Sequence, residues 1–256
     1  MFGNKKLETA KLPMNYDSYV FDLYGTLVDI RTDEGDPKLW ERLALFYGYY
    51  DAIYQWDELK HAYEELVHGK EQELKLTLEG DAHYAHEASP EIEITEVFRE
   101  LYHAKGVEAD DALAVHTGQL FRVMSTDYVK IYEGTDDMLA GLKAAGKKIY
   151  LLSNAQRIFT EYEMHVLGIA QYFDDIFISS DYQTKKPDRR FYDALIEKHH
   201  IDVSRALFVG NDSRTDIAGA KAVNMDTFYI NSNISPANDM AKDANFVVKR
   251  FGSWSF

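Results

Sequence analysis

An apolar run ends in an aspartate and opens onto glycine and threonine in YVFDLYGTLVDI, where Asp22 precedes Gly25 and Thr26. A carboxylate with a reference pKa of about 3.9 is ionised at neutral pH and can attack phosphorus or an activated carbon. Three later stretches carry complementary groups. LLSNA holds Ser153 and Asn154, KKPDRRFY holds Lys186 before a proline, and FVGNDSRTDIAGA holds Asp212 with Asp216 four residues on. Together they offer an anion, hydroxyl and amide donors, a cation and an acidic pair. Each stretch alone also reads as a turn or a helix cap. Only their convergence would make a site.

The elements around them allow that convergence. Short β-branched and aromatic runs predict strands within 18–23, 147–154, 174–182, 205–212, 226–233 and 245–248. Between the later runs lie helically spaced stretches such as GTDDMLAGLKAAG and AQRIFTEYEMHVLG, which end in glycine as a helix stop should. This alternation predicts βαβ units around a parallel sheet. Ligands bind such sheets beyond the carboxyl ends of the strands, where all four polar stretches fall. The segment 29–126 differs: it is rich in Glu, Tyr, His and Leu at helical spacing, without strand alternation. It predicts four or so helices. The expected fold is therefore α/β, a Rossmann-like parallel sheet core of 15–28 and 127–256 with an all-helical subdomain of 29–126 inserted.

Composition narrows the function classes. The chain has 256 residues, a net charge of −15 and no cysteine. Thiolate nucleophiles, disulfides and cysteine zinc sites are excluded. The acidic balance argues against a broad nucleic-acid surface, while local cations or a metal still admit a small anionic substrate. No run reaches the ~18 apolar residues of a membrane span, and no signal-peptide core is present. A soluble, cytoplasmic protein with no membrane partner is expected.

The order of FDLYGTLVD, LLSNA, KKPDRRFY and FVGNDSRTDIAGA resembles the haloacid dehalogenase superfamily of hydrolases, with the helical insertion in the place of that family's cap. The resemblance implies that Asp22 is a nucleophile forming a covalent aspartyl intermediate. It implies hydroxyl contacts from Thr26 and Ser153, a further donor in Asn154, and charge balance from Lys186. It also implies a magnesium site of Asp22, the Tyr24 backbone carbonyl and Asp212, with Asp216 as the second acid.

Tyr24 departs from the phosphatases of that family, which place a second aspartate there as general acid and base. Such help is worth typically about 10²–10⁴-fold. Tyr24 resembles instead the 2-haloacid dehalogenases, whose halide leaves without a proton. Those enzymes carry Ser-Ser-Asn where this chain has Gly210-Asn211-Asp212, and an arginine directly after Leu-Trp. Here Arg42 stands one position later, about 100° around a helix. Because Asp212 and Asp216 have a clear role with magnesium, the leading expectation is Mg²⁺-dependent hydrolysis of a small phosphorylated metabolite, with Tyr24 as a candidate acid. The alternatives are a metal-independent 2-haloacid dehalogenase and a non-catalytic scaffold. Arg42 and Arg157 are candidate anion contacts. The histidines at 83, 86, 199 and 200 read as surface or packing residues, and the tyrosine-rich FYGYYDAIYQW as a patch packing the helical insertion against the core.

Overall fold

The computed structural model describes residues 6–256. The chain runs β1 (Glu8–Lys11), β2 (Ser18–Phe21), β3 (Val28–Thr32), α1 (Pro37–Gly48), α2 (Trp56–Glu79), α3 (Ile94–His103), α4 (Asp111–Ser125), β4 (Thr126–Ile131) and α5 (Thr135–Ala144). It continues β5 (Lys148–Ser153), α6 (Arg157–Val166), β6 (Asp175–Ile178), α7 (Ser179–Tyr182), α8 (Arg189–His199), β7 (Ala206–Gly210), α9 (Ala218–Ala222), β8 (Asp226–Ile230), β9 (Phe246–Val248) and β10 (Phe251–Ser255).

Six strands form one parallel sheet in the order β6-β5-β2-β7-β8-β9. The central strands are buried on both faces, so they read as nearly unbroken apolar runs. Their pleat still divides them. Tyr19, Phe21, Ile149, Leu151, Leu207 and Val209 pack with Met138, Leu139 and Leu142 of α5 and Met164 of α6. Val20, Tyr150, Leu152, Ala206 and Phe208 pack with Phe191, Tyr192 and Leu195 of α8 and Ala220 of α9. Helices therefore cover both faces of a Rossmann-like sheet. The strand holding Asp22 at its end lies between β5 and β7, with Phe21 level with Leu151 and Val209. This is a topological switch point.

The four helices α1–α4 fall between β3 and β4 and build their own apolar cluster around Trp40, Tyr47, Phe98, Tyr102 and Phe121. Two expectations change here. A strand does occur in the segment expected to be all helical, because Val28–Thr32 pairs antiparallel with Thr126–Ile131 and closes the insertion at its base. The tyrosine-rich patch serves the insertion itself: Tyr47 donates to Phe98 O at 3.0 Å and Tyr54 to Leu101 O at 2.6 Å. The strand expected over 174–182 ends at Ile178, where the chain turns into α7. Strands β1 and β10, absent from the sequence reading, pair parallel with each other beside the main sheet. Among the described residues no helix is long and apolar enough to cross a membrane.

Candidate active site

Asp22 follows the last residue of β2, and its amide donates to Val209 O at 2.9 Å, so the neighbouring strand fixes where it leaves the sheet. The next turn is tight: Leu23 O accepts from the amides of Thr26, Leu27 and Val28. Gly25 permits it with φ +88°, and a Cβ there would lie within 2.2 Å of the Asn211 amide. The turn brings Thr26 Oγ1 to 3.3 Å from Asp22 Oδ2 and 3.4 Å from Asn211 Oδ1.

Lys186 reaches this point from the loop before α8. Asn154 grips its backbone from both sides, accepting from Lys186 N at 2.8 Å and donating to Lys186 O at 3.0 Å. The side chain is 2 % exposed. Its Nζ lies 2.7 Å from Asp22 Oδ1 and 2.8 Å from Asp216 Oδ1. Burial disfavours the ammonium charge, but Asp216 and Asp22 outweigh burial and hold the Lys186 pKa above its ordinary value. Asp216 is itself pushed upward by burial, against the pull of Lys186. Its other oxygen accepts from the amides of Asn211 and Asp212 at 2.9 and 3.0 Å. Tyr192 is wholly buried and donates to the carbonyls of Thr215 and Asp216, steadying the π-helical turn Ser213–Ile217 that follows β7. The cluster thus contains two carboxylates and one ammonium. Beside it, at the end of β5, Ser153 is fully buried and its Oγ has no hydrogen-bond partner among the described residues. Buried hydroxyls are normally paired, so this one has donor capacity to spare for a ligand.

Several sequence-derived candidates stand elsewhere. The Tyr24 hydroxyl donates to Glu163 Oε2 at 2.6 Å and lies 3.2 Å from Thr160 Oγ1. Arg122 of α4 pairs with Glu163 at 2.7 Å, and its guanidinium sits 5.5 Å from the centre of the Tyr24 ring. Burial and the Glu163 charge push the Tyr24 pKa upward. A phenol whose proton is held by a carboxylate is a poor general acid. Asp212 caps the turn after β7, accepting from Arg214 N at 2.8 Å and pairing with the Arg214 guanidinium at 3.3 Å. It is Asn211, the first residue past β7, whose side chain meets the Asp22 loop. Asn154 serves Lys186 instead of offering its amide to a substrate. Arg157 pairs with Asp181 at 2.5 Å and donates to Ile176 O at 3.2 Å. Arg42 lies on the exposed side of α1, away from the buried Leu39, Trp40 and Leu43.

Sequence reasoning also missed Glu163, Arg122 and Asn211. Asn211 could have been found by taking the residue immediately after each strand, as for Asp22. Glu163 and Arg122 sit on ordinary helical faces with no local signal.

The magnesium implied by the resemblance can be tested against these donors. Among the described residues no three His, Cys, Asp or Glu converge as a cage. Magnesium keeps several waters and often takes one or two carboxylates plus substrate phosphate. The Asp22 carboxylate and the Asn211 amide oxygen, which lie 3.3 and 3.4 Å from the same Thr26 hydroxyl, fit that sparse requirement, and the spare negative charge of the cluster favours a cation.

A family of haloacid dehalogenase-like hydrolases matches residues 16–224. The human haloacid dehalogenase-like hydrolase domain-containing protein 3 is 26% identical over 136 residues, 53% of this chain and 54% of that protein. The phosphoglycolate phosphatase of Photobacterium profundum is 32% identical over 92 residues, 36% of this chain and 40% of its own. This chain thus spans about half or less of the length of these curated relatives. The crystal structure of a 2-haloacid dehalogenase from Pseudomonas syringae shares the fold, with a TM-score of 0.58 at 19% identity, covering 88% of this chain and 90% of that one. With the match spanning β2, β5, β6 and β7 of the sheet, the insertion and all four polar stretches, this chain belongs to the haloacid dehalogenase-like hydrolases.

Proposed function

We propose that this hydrolase cleaves small phosphate monoesters and acyl phosphates whose leaving groups depart without a proton, such as aryl or enol phosphates. The observation that carries the reading is the buried cluster of Asp22, Lys186 and Asp216 beside the unpaired hydroxyl of Ser153. An Asp22 oxygen attacks phosphorus, the bond to the leaving oxygen breaks, and that oxygen departs with the electron pair. Water then attacks phosphorus in the aspartyl phosphate, loses its proton to solvent and frees phosphate and Asp22. Lys186 and Ser153 Oγ supply donors to the phosphoryl oxygens, the kind of preorganised stabilisation that contributes most to such reactions, while the Thr26 hydroxyl steadies Asp22. Asp22, Asn211 and the Tyr24 carbonyl would hold a magnesium ion, which when bound offsets the negative charge shared by phosphoryl group and nucleophile. The helical insertion would act as a cap that excludes water from the aspartyl intermediate.

The leaving-group preference follows from Tyr24. Its hydroxyl proton is committed to Glu163 and its pKa is raised, so Tyr24 does not take the general-acid part. The phosphoglycolate phosphatase relative supports phosphoryl chemistry. A second reading, carbon–halogen hydrolysis of 2-haloacids, draws on the neutral Asn211 and Tyr24; the outward position of Arg42 weakens it. Phosphate release from an aryl and an alkyl monoester, with and without magnesium and with Asp22→Asn as blank, tests the proposal. Aryl turnover that needs both magnesium and Asp22, and exceeds alkyl turnover by about 10²-fold or more, is expected. Halide release from a 2-haloacid in place of phosphate release would establish the second reading.

A further inference from the structure

The family match ends at residue 224, yet a residue well beyond it touches the catalytic turn. Trp254, on β10, is 3 % exposed. Its indole Nε1 donates to Thr26 O at 3.0 Å. The strand that carries it is held in turn by β1, in which Ala10 stands level with Trp254. On the other side, Trp254 N donates to Glu133 O at 2.7 Å. Gly134, with φ +80°, leaves room for the Trp254 carbonyl, which would lie 2.1 Å from a Cβ there. The indole ring packs between Phe251 and Phe228, with centroids 5.1 and 6.1 Å away.

We infer that Trp254 is a positioning residue for the nucleophile: the β1–β10 pair fixes the Thr26 peptide through the indole N–H, and so aims the Thr26 hydroxyl at Asp22. The inference rests on the reading of Asp22 as nucleophile. Its physical basis is that the Thr26 Oγ1 to Asp22 Oδ2 separation is already 3.3 Å, at the long end of an O–H···O bond. With no tether on the Thr26 carbonyl, a few tenths of an ångström of drift would end that contact. Misplacement of about 1 Å at a reacting group can cost on the order of 10²-fold in rate.

Trp254→Phe removes the donor and keeps an aromatic ring, while Phe251→Leu trims the same packing cluster without touching Thr26. In the aryl-phosphate assay, Trp254→Phe is expected to lower kcat about tenfold, the rate equivalent of one ordinary hydrogen bond, with KM little changed. Phe251→Leu is expected to lower the melting temperature and leave kcat alone. Equal losses of kcat in both variants, in step with their stability, or an unchanged kcat in Trp254→Phe, would overturn the inference.

A second readout needs no substrate. The chain has three tryptophans, so its indole N–H resonances number three, and the one missing from Trp254→Phe identifies Trp254. Asp22→Asn should move that resonance and leave exposed Trp56 in place. A Trp254 signal indifferent to Asp22→Asn would sink the inference even if every phosphate ester and haloacid proved inert, an outcome that would separately sink the proposed function.

Discussion

Two charged clusters flank the turn after β2, and they are built differently. On the sheet side, Lys186 sits between Asp22 and Asp216, two carboxylates against one ammonium, all nearly buried. On the insertion side, Arg122 and Glu163 form a one-to-one pair, and Tyr24 adds a neutral donor to the same carboxylate. The second cluster is complete as it stands. The first carries an uncompensated negative charge and borders an unpaired hydroxyl, which leaves it charge and a donor to offer a ligand or cation. Unbalanced buried charge marks a site, whereas balanced buried charge holds two elements together. Here the balanced pair joins α4 of the insertion to α6 of the core.

The largest effect is expected at Lys186. Lys186→Met strands two buried carboxylates together, with a cost of about 3–5 kcal/mol by urea denaturation and a loss of turnover of about 10³-fold. Asp22→Asn should be equally inactive yet at least as stable as the wild type, since Lys186 and Asp216 then balance. Equal destabilisation in both variants would break the distinction between the clusters.

Glu163→Gln comes next. It leaves Arg122 without its partner and should cost about 1–3 kcal/mol, while aryl-phosphate turnover changes by less than about tenfold. A loss of activity as deep as that of Lys186→Met would mean that the insertion-side cluster takes part in the chemistry.

Tyr24→Phe should be mildest, within about 1 kcal/mol in stability because the ion pair survives. Its turnover should stay within about tenfold of wild type. A fall of 10²–10⁴-fold, the size of a lost general acid, would return Tyr24 to the reaction.

Much of the fold was legible. The alternation of apolar runs and helical spacing marked every strand of the six-stranded sheet, and the change of texture after residue 29 marked the four helices. The short outlying strands β1, β3, β4 and β10 were not legible. They are partly exposed, lack a continuous apolar run, and owe their existence to pairing across as many as 240 or so residues. In the site, Asp22, Thr26 and Ser153 were readable because each stands at or near a strand end, and Lys186 because it stands beside Pro187 in the loop that opens α8. Asn154, Arg157 and Asp212 were readable as neighbours but not in direction. Adjacent residues past a strand point to different sides, and one residue of offset separates Asn211 on the catalytic turn from Asp212 on Arg214.

By itself, then, the sequence determined which residue types gather at one edge of a parallel sheet, since pleat and strand ends are local properties with a period of two. It also determined that a tyrosine, not a second aspartate, stands two residues after Asp22. Only the tertiary structure decided that the Tyr24 hydroxyl turns to Glu163, that Asn154 holds the lysine loop, and that Trp254 lies beneath Thr26. Those are choices of side-chain direction between elements distant in the chain, set by close packing and by the need of each buried polar group for a partner.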